Sequence, residues 1–207
     1  MARPVLYYCP RTRAETTLWM SEELGGVCDV KIVNLKAGEH KKPEFLAINR
    51  MGKLPALVHD GVAVAESAAI CAYLADAFPQ KGFAPASNDP KRGAYFRWIL
   101  FAPSVIEPMM LDKLGGVQRD NPIGVGYGTE ADVLATIDEA LSASPYLLGD
   151  KVSAADIVMG SLLNFATMFG AIEKKGPVAD YIERMTARPA FKKAQETSAK
   201  YAEELGL

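Results

Sequence analysis

The segment 53–67 constrains the fold of this chain more than any other. An apolar run at 54–58 carries a proline near its head, and a second apolar run occupies 62–65. Between them lies Asp60-Gly61, a pair typical of a tight hairpin turn. The segment therefore predicts two antiparallel strands that lead into a helix over 66–78.

A strand–helix–strand pattern precedes this hairpin. Residues 5–8 are apolar and aromatic, and residues 27–33 alternate with a period of two, so both predict strands. The helix between them is expected to start at Thr12, which can act as a cap, and to stop at Gly25-Gly26. A crossover of this kind makes the two strands parallel. With a short helix over 44–49, the pattern predicts a small α/β layer domain of four strands.

The second half of the chain is predicted to be helical. Residues 79–90 hold three prolines and have the composition of a linker. Beyond them the strand pattern disappears, and Pro103 and Pro108 are expected to interrupt the first helical stretch. Residues 111–128 match no clear pattern. The helical periodicity covers the following ranges: 91–110, 130–142, 157–169, 177–188 and 190–205. We therefore expect an α/β domain over 1–79 and an all-helical domain over 90–207.

Composition excludes several classes of function. The chain has 207 residues and a net charge of −2, without the basic stripe typical of nucleic-acid binders. No apolar run reaches the roughly 20 residues that cross a membrane. Three cysteines and no apolar leader predict a reducing, cytoplasmic location without disulfides. Two histidines without ligand spacing predict no metal site.

One half of a ligand site is predicted within the hairpin segment. A cis Leu54-Pro55 bond would leave the Leu54 backbone groups free to pair with an extended peptide, whereas a trans bond would mark only a strand start. Glu66 and Ser67 open a helix, where an anion is favoured. Ser67 could bind a ligand carboxylate and Glu66 a ligand ammonium; the alternative is simple helix capping.

The other half is predicted where the first strand meets its helix. Tyr8, Thr12 or Arg13 could stabilise a thiolate there, which requires lowering a thiol pKa by about two units. Cys9, before Pro10, could itself be a nucleophile. The alternatives are that Thr12 only caps the helix, Tyr8 lies in the core and Cys9 is a small buried side chain. The cationic loop 40–42 either holds a second carboxylate or is solvated surface.

Three motifs in this order resemble the cytosolic glutathione S-transferase family, and the resemblance covers essentially the whole chain. They are Gly52-Lys53-Leu54-Pro55-Ala56-Leu57, Glu66-Ser67-Ala68-Ala69-Ile70 and Gly149-Asp150-Lys151-Val152-Ser153-Ala154-Ala155-Asp156. The resemblance, to a bacterial member, implies a thioredoxin-like N-terminal domain followed by an all-helical C-terminal domain. It also implies a cytoplasmic homodimer that acts in detoxification.

The resemblance also assigns roles to residues. Pro55 matches the family's cis-proline, so the Leu54 backbone should pair with the cysteinyl part of glutathione. Glu66 and Ser67 match the residues that hold its γ-glutamyl end, and Lys53 matches a further contact. The loop that reaches the glycyl carboxylate corresponds to His40 and Lys41. Ser153 with Asp156 matches a cap that is critical for folding.

The residue that activates the thiol is where this sequence departs from the family pattern. An ungapped alignment with the bacterial cysteine-using class puts Arg13 at the cysteine position. Thr12 is the first choice, because many related bacterial sequences carry Ser or Thr there. Tyr8 matches the tyrosine of the animal classes when registered on the following proline. Cys9-Pro10 is similar to the Cys-Pro of the thiol-transferase class, although the residues after it differ.

The expected function is conjugation of the glutathione thiolate to a small hydrophobic electrophile, with glutathione as co-substrate and no metal. Two alternatives remain: a glutathione-dependent thiol transferase or disulfide reductase using Cys9, and a non-catalytic family member. Tyr95 and Trp98 are expected to line the electrophile pocket or the dimer cleft. Phe101, Met109 and Met110 are expected at an apolar homodimer interface.

Overall fold

A computed structural model gives the structure of the chain and describes residues 2–207. The chain forms two compact units. The first contains the residues up to Lys81 together with Ala187–Leu207, and the second contains Gly82–Thr186. The segment 187–207, which the sequence pattern assigned to the helical domain, is thus part of the first unit.

The first unit contains four strands: β1 (Val5–Tyr8), β2 (Asp29–Ile32), β3 (Ala56–His59) and β4 (Val62–Ala65). The α-helices, in chain order, are α1 (Ala14–Glu23), α2 (Pro43–Leu46), α3 (Ser67–Ala77), α4 (Lys91–Phe101), α5 (Glu107–Leu114), α6 (Glu130–Ala143), α7 (Ala154–Met168), α8 (Gly176–Thr186) and α9 (Pro189–Glu204). Helices α4 to α8 build the second unit, and the others belong to the first. No described helix has both the length and the apolar character that crossing a bilayer requires.

The strand order is β2-β1-β3-β4. β1 and β2 run parallel and β3 and β4 run antiparallel, as the sequence predicts. β3 also pairs with β1 in the antiparallel direction. Asp60 and Gly61 both have a positive φ, of 48° and 81°. Two positive φ values in succession suit the twist of a two-residue hairpin, which explains why this pair connects β3 to β4.

Helix α1 is the centre of the first unit. It packs against β1, α3 and α9, and most of its length is buried. Gly25 and Gly26, with φ of 98° and 72°, end it as predicted. The helix starts at Ala14 with Arg13 as its N-cap, one residue later than the predicted cap at Thr12. The Thr12 hydroxyl nevertheless accepts the Ala14 N–H at 3.2 Å, so Thr12 makes a capping bond to the first residue of the helix.

The prolines of the second unit interrupt its first helical stretch as expected. Between α4 and α5, residues Ala102–Ile106 form a π-type turn. Pro103 and Pro108 lack a backbone N–H, so regular α-helical bonding cannot pass through this stretch. Asp112 stabilises the segment 111–128, for which the sequence showed no clear pattern. Its carboxylate pairs with Arg119 and accepts a hydrogen bond from the Tyr127 hydroxyl at 3.0 Å.

Helix α7 forms the core of the second unit and starts with the predicted capping box. Asp156 is fully buried and accepts hydrogen bonds from the Ser153 N–H and hydroxyl, both at 2.8 Å. Its other oxygen accepts the Leu147 N–H at 2.8 Å and the Tyr181 hydroxyl at 3.0 Å. Asp156 therefore joins the start of α7 to the preceding loop and to α8.

Several side chains expected at a pocket or an interface lie in this core instead. Tyr95 and Trp98 are buried on α4, and Met109 and Met110 are buried on α5. The prediction of Met109 and Met110 at a dimer interface is therefore wrong, because they leave no surface for a partner.

Candidate functional site

A cleft of about 290 Å³ lies in the first unit, where β1 meets α1. Six residues predicted for the site line it: Thr12, Arg13, His40, Lys41, Lys53 and Leu54. Leu35 and Gly52 complete the lining. The cleft thus brings together residues from four separate stretches of sequence, and four of these residues are arginine, histidine or lysine.

Thr12 presents its hydroxyl at this cleft in a half-buried position. The hydroxyl donates to the Cys9 carbonyl at 2.7 Å and accepts the Ala14 N–H at 3.2 Å. The turn is closed by these two bonds, one to each side of Thr12. A hydroxyl proton can rotate toward a better acceptor, and a thiolate is a stronger acceptor than a neutral carbonyl. The Thr12 side chain can therefore exchange its bond to Cys9 for one to an anionic sulfur.

Tyr8 and Cys9 do not reach the cleft surface. Tyr8 is fully buried, and Cys9 is 2% exposed. Burial, followed by the charge of Glu15, raises the pKa of Tyr8 far above its usual value. Burial also raises the pKa of the Cys9 thiol, against a hydrogen bond to the Leu35 backbone that lowers it. A thiolate nucleophile needs a low pKa and access to solvent, so the structure disfavours both residues as the reacting or activating group.

Glu66 and Ser67 lie at the start of α3, next to the turn that carries Arg13. The Ser67 hydroxyl donates to the Arg13 carbonyl at 3.3 Å, which links this helix start to the cleft lining. Glu66 is exposed, has a φ of 66° and makes no capping hydrogen bond with its side chain. The first turn of α3 contains no acidic side chain. Its free N–H groups and the positive end of the helix dipole are therefore open to an anion.

The Leu54-Pro55 peptide bond is cis. Pro55 is buried, Leu54 is half-buried and Lys53 is exposed. The backbone N–H and C=O of Leu54 make no hydrogen bond to any residue in 2–207. An exposed, unpaired backbone edge of this kind can bind an extended peptide by strand-like pairing.

Gly52 is a residue that the site prediction missed. Its φ is +62°, and a Cβ placed on it would lie 2.8 Å from the His40 carbonyl oxygen and 2.8 Å from Lys41 Nζ. Lys41 Nζ also donates to the Met51 carbonyl at 3.2 Å. Only a residue without a side chain lets these segments approach so closely. The sequence signal that could have identified it is its place as the first residue of the motif Gly52-Lys53-Leu54-Pro55-Ala56-Leu57.

Asn49 supports the same wall of the cleft. Its side-chain amide donates to the Lys53 carbonyl at 2.9 Å and accepts the Met51 N–H at 3.1 Å. It is buried, so the loop that carries Lys53 is held from within. No group of three or more His, Cys, Asp or Glu side chains in the described part of the chain is arranged to hold a metal ion.

Comparisons with known proteins agree with this geometry. The family model "Glutathione S-transferase, N-terminal domain" matches residues 3–76, and "Glutathione S-transferase, C-terminal domain" matches residues 127–189. A glutathione S-transferase of Hyoscyamus muticus is 30% identical over 177 residues, which cover 79% of this chain and 84% of the relative.

Two solved structures show the same architecture. A glutathione transferase of Methylococcus capsulatus superposes with a TM-score of 0.78 at 27% identity, covering 95% of this chain and 98% of that one. A glutathione transferase homologue from Sulfitobacter, solved with bound glutathione, superposes with a TM-score of 0.75 at 22% identity, covering 95% of this chain and 99% of that one. At this level of identity the similarity supports the fold alone. The predicted fold class, a thioredoxin-like domain followed by a helical one, is confirmed. The chain belongs to the glutathione S-transferase family.

Proposed function

We propose that this protein binds glutathione in the Thr12 cleft and conjugates its thiolate to small hydrophobic electrophiles. Family membership and the names of its relatives support a transferase. The observation that carries the site assignment is the cleft itself, because Thr12, the Leu54 backbone edge and the His40-Lys41 turn all line it.

Glutathione offers a peptide backbone, two carboxylates, an ammonium and a thiol, and the unit holds a complement for each. The Leu54 N–H and C=O pair with the cysteinyl part, next to the cis Pro55. The γ-glutamyl carboxylate lies at the start of α3 beside Ser67, and Glu66 accepts from the ammonium. The glycyl carboxylate binds at the remaining wall of the cleft, where His40, Lys41 and Lys53 offer hydrogen-bond donors.

The Thr12 hydroxyl activates the thiol. The bound sulfur displaces the Cys9 carbonyl as the acceptor of the Thr12 proton, and this charge-assisted hydrogen bond favours the thiolate over the thiol. The thiol proton passes to solvent. Thiolate then forms the carbon–sulfur bond of the product; with an aryl halide, the carbon–halogen bond breaks and halide leaves. Arg13 and the N-terminus of α1 add positive potential at the same edge.

Substitution of Thr12 tests this role. A hydrogen bond to a charged group contributes about 1.5–3 kcal/mol, so Thr12→Ala should lower kcat/KM with a general aryl halide by roughly tenfold to a hundredfold. Thr12→Ser keeps the hydroxyl and should retain most of the activity. Full conjugation by Thr12→Ala would rule out this assignment. Strong disulfide reduction by wild type that is lost in Cys9→Ala would favour a thiol transferase.

A second copy of the chain is the proposed protein partner, and the cytoplasm is the proposed location. The exposed apolar side chains Phe96 and Leu100 on α4, at 43% and 54% exposure, offer surface for such a contact. Sedimentation of the protein should give the mass of a dimer. A monomer at micromolar concentration would contradict this part of the proposal.

A further inference from the structure

Glu15 joins the Thr12 turn to the C-terminal helix. Its Oε1 accepts the Arg11 backbone N–H at 2.9 Å and the Ser198 hydroxyl at 2.6 Å. Arg11 directly precedes Thr12, whereas Ser198 lies on α9, 183 positions after Glu15 in the chain. One carboxylate oxygen therefore connects the two ends of the sequence at the edge of the cleft.

Arg11, which donates its N–H to this carboxylate, has an unusual backbone conformation. Arg11 has a φ of 59°, in the left-handed region that side chains other than glycine rarely adopt. Its exposed side chain gives no packing reason for this conformation. The hydrogen bond from its N–H to Glu15 holds the residue that directly precedes Thr12.

Within the described residues, the two bonds to Oε1 are the ones that fix the Glu15 carboxylate. Its second oxygen, Oε2, is buried and makes no hydrogen bond to residues 2–207, and the same holds for the Tyr8 hydroxyl. Burial and the Glu15 charge raise the pKa of Tyr8, and burial raises that of Cys9, so both neighbours stay neutral.

Helix α9 is itself firmly placed along α1. Arg188 pairs with Glu23 at 2.6 Å, and Phe191 contacts the Trp19 ring at 4.9 Å between centroids. Ser198 is buried nearer the opposite end of α1. The two helices therefore run antiparallel, and α9 provides a fixed point from which Glu15 can be oriented.

We propose that Glu15 is a positioning residue for thiol activation, and that it transmits the placement of Ser198 on α9 to the Thr12 hydroxyl in the cleft. The proposal rests on the proposed role of Thr12. Removing the Ser198 hydroxyl lets the carboxylate turn, Arg11 then relaxes from its left-handed conformation, and Thr12 loses its orientation. Glutathione recognition by the Leu54 edge and the start of α3 stays intact.

The test measures the pKa of the glutathione thiol in the binary complex, from the ultraviolet absorbance of the thiolate against pH. Glutathione affinity and kcat are measured beside it. Ser198→Ala should raise the bound thiol's pKa and lower kcat roughly fivefold to tenfold, the effect of one lost hydrogen bond, with affinity within about twofold. Glu15→Gln keeps an acceptor oxygen and should stay near wild type, whereas Glu15→Ala should match or exceed Ser198→Ala.

Two control variants separate positioning from a general loosening of α9. Thr197→Ala removes the hydroxyl of the neighbouring, half-buried residue on the same helix. Lys193→Ala breaks the pair between Lys193 and Glu22, 2.6 Å apart, farther along the same two helices. Both should leave the thiol pKa unchanged.

If Lys193→Ala shifts the pKa of the bound thiol as much as Ser198→Ala does, the positioning role is wrong. It is also wrong if the thiol pKa is unchanged in both Ser198→Ala and Glu15→Ala. Thr12→Ala distinguishes this failure from failure of the proposed function. If Thr12→Ala raises the thiol pKa and the Ser198 and Glu15 variants do not, only the positioning role is lost. An unchanged pKa in Thr12→Ala itself removes Thr12 as activator, and the positioning role falls with it.

Discussion

Replacing Gly52 by alanine is expected to damage the cleft in two separable ways. The first is conformational: Gly52 has a φ of +62°, where an L residue costs roughly 1–2 kcal/mol. The second is steric, because the new Cβ would lie 2.8 Å from the His40 carbonyl oxygen and from Lys41 Nζ. The lysine can swing away, but the carbonyl is backbone, so the turn over Glu39–Lys41 must move.

Gly61 provides a matched control. Its φ is +81°, and a Cβ there would meet no atom within 4 Å. Gly61→Ala therefore carries the conformational cost alone, about 1–2 kcal/mol. Gly52→Ala should lose about 1–3 kcal/mol more, the usual range for overpacking a well-packed site. Displacement of His40 and Lys41 should also weaken glutathione binding by about tenfold, which corresponds to about 1.4 kcal/mol.

Urea unfolding of both variants gives the free energy of unfolding, and titration calorimetry gives the dissociation constant for glutathione. The expected result is a larger stability loss for Gly52→Ala than for Gly61→Ala, and weaker glutathione binding only in the former. Equal stability losses, with unchanged affinity in both variants, would refute the close approach of the His40-Lys41 turn to Gly52.

Three further predictions follow from burial and hydrogen bonding. Asp156→Ala leaves four hydrogen-bond donors in the second unit without an acceptor, so it should lower the free energy of unfolding by about 3 kcal/mol or more. The exposed Asp150→Ala should change it little, and equal urea midpoints of the two variants would contradict this prediction. The Cys9 thiol is buried and its pKa is raised, so it should resist alkylation at neutral pH until urea unfolds the chain. Rapid alkylation of Cys9 in the native protein, detected by mass spectrometry, would contradict this prediction. Ser67→Ala should weaken glutathione binding by roughly fivefold to tenfold in calorimetry, with kcat nearly unchanged, whereas a lowered kcat at unchanged affinity would place Ser67 in the chemical step instead.

Local signals in the sequence predicted the parts of the fold that local chemistry determines. Asp60-Gly61 specified the hairpin because both positions need a positive φ, and Ser153 with Asp156 specified the start of α7 through reciprocal hydrogen bonds. The cleft lining followed from the strand-to-helix junction and the motif beginning at Gly52, because the sheet brings those segments to one edge.

Long-range packing could not be predicted in the same way. The amphipathic pattern of α9 shows that one face is buried, but not that this face packs on α1 in the first unit. The same limit applies to Met109 and Met110, since periodicity does not say whether an apolar face packs within the chain or against a second copy. Glu15 was missed because a single carboxylate in a first helical turn looks like an ordinary dipole partner, and its bond to Ser198 spans nearly the whole chain.

The central claim is that glutathione binds along Leu54 with its sulfur at Thr12. A crystal structure of the protein with glutathione tests it most directly. The account predicts main-chain hydrogen bonds between the cysteinyl residue and Leu54, and a sulfur within hydrogen-bonding distance of Thr12 Oγ1, about 3.5 Å or less. A sulfur bonded to the hydroxyl of Tyr8 or the thiol of Cys9, or a glutathione bound outside this cleft, would contradict it.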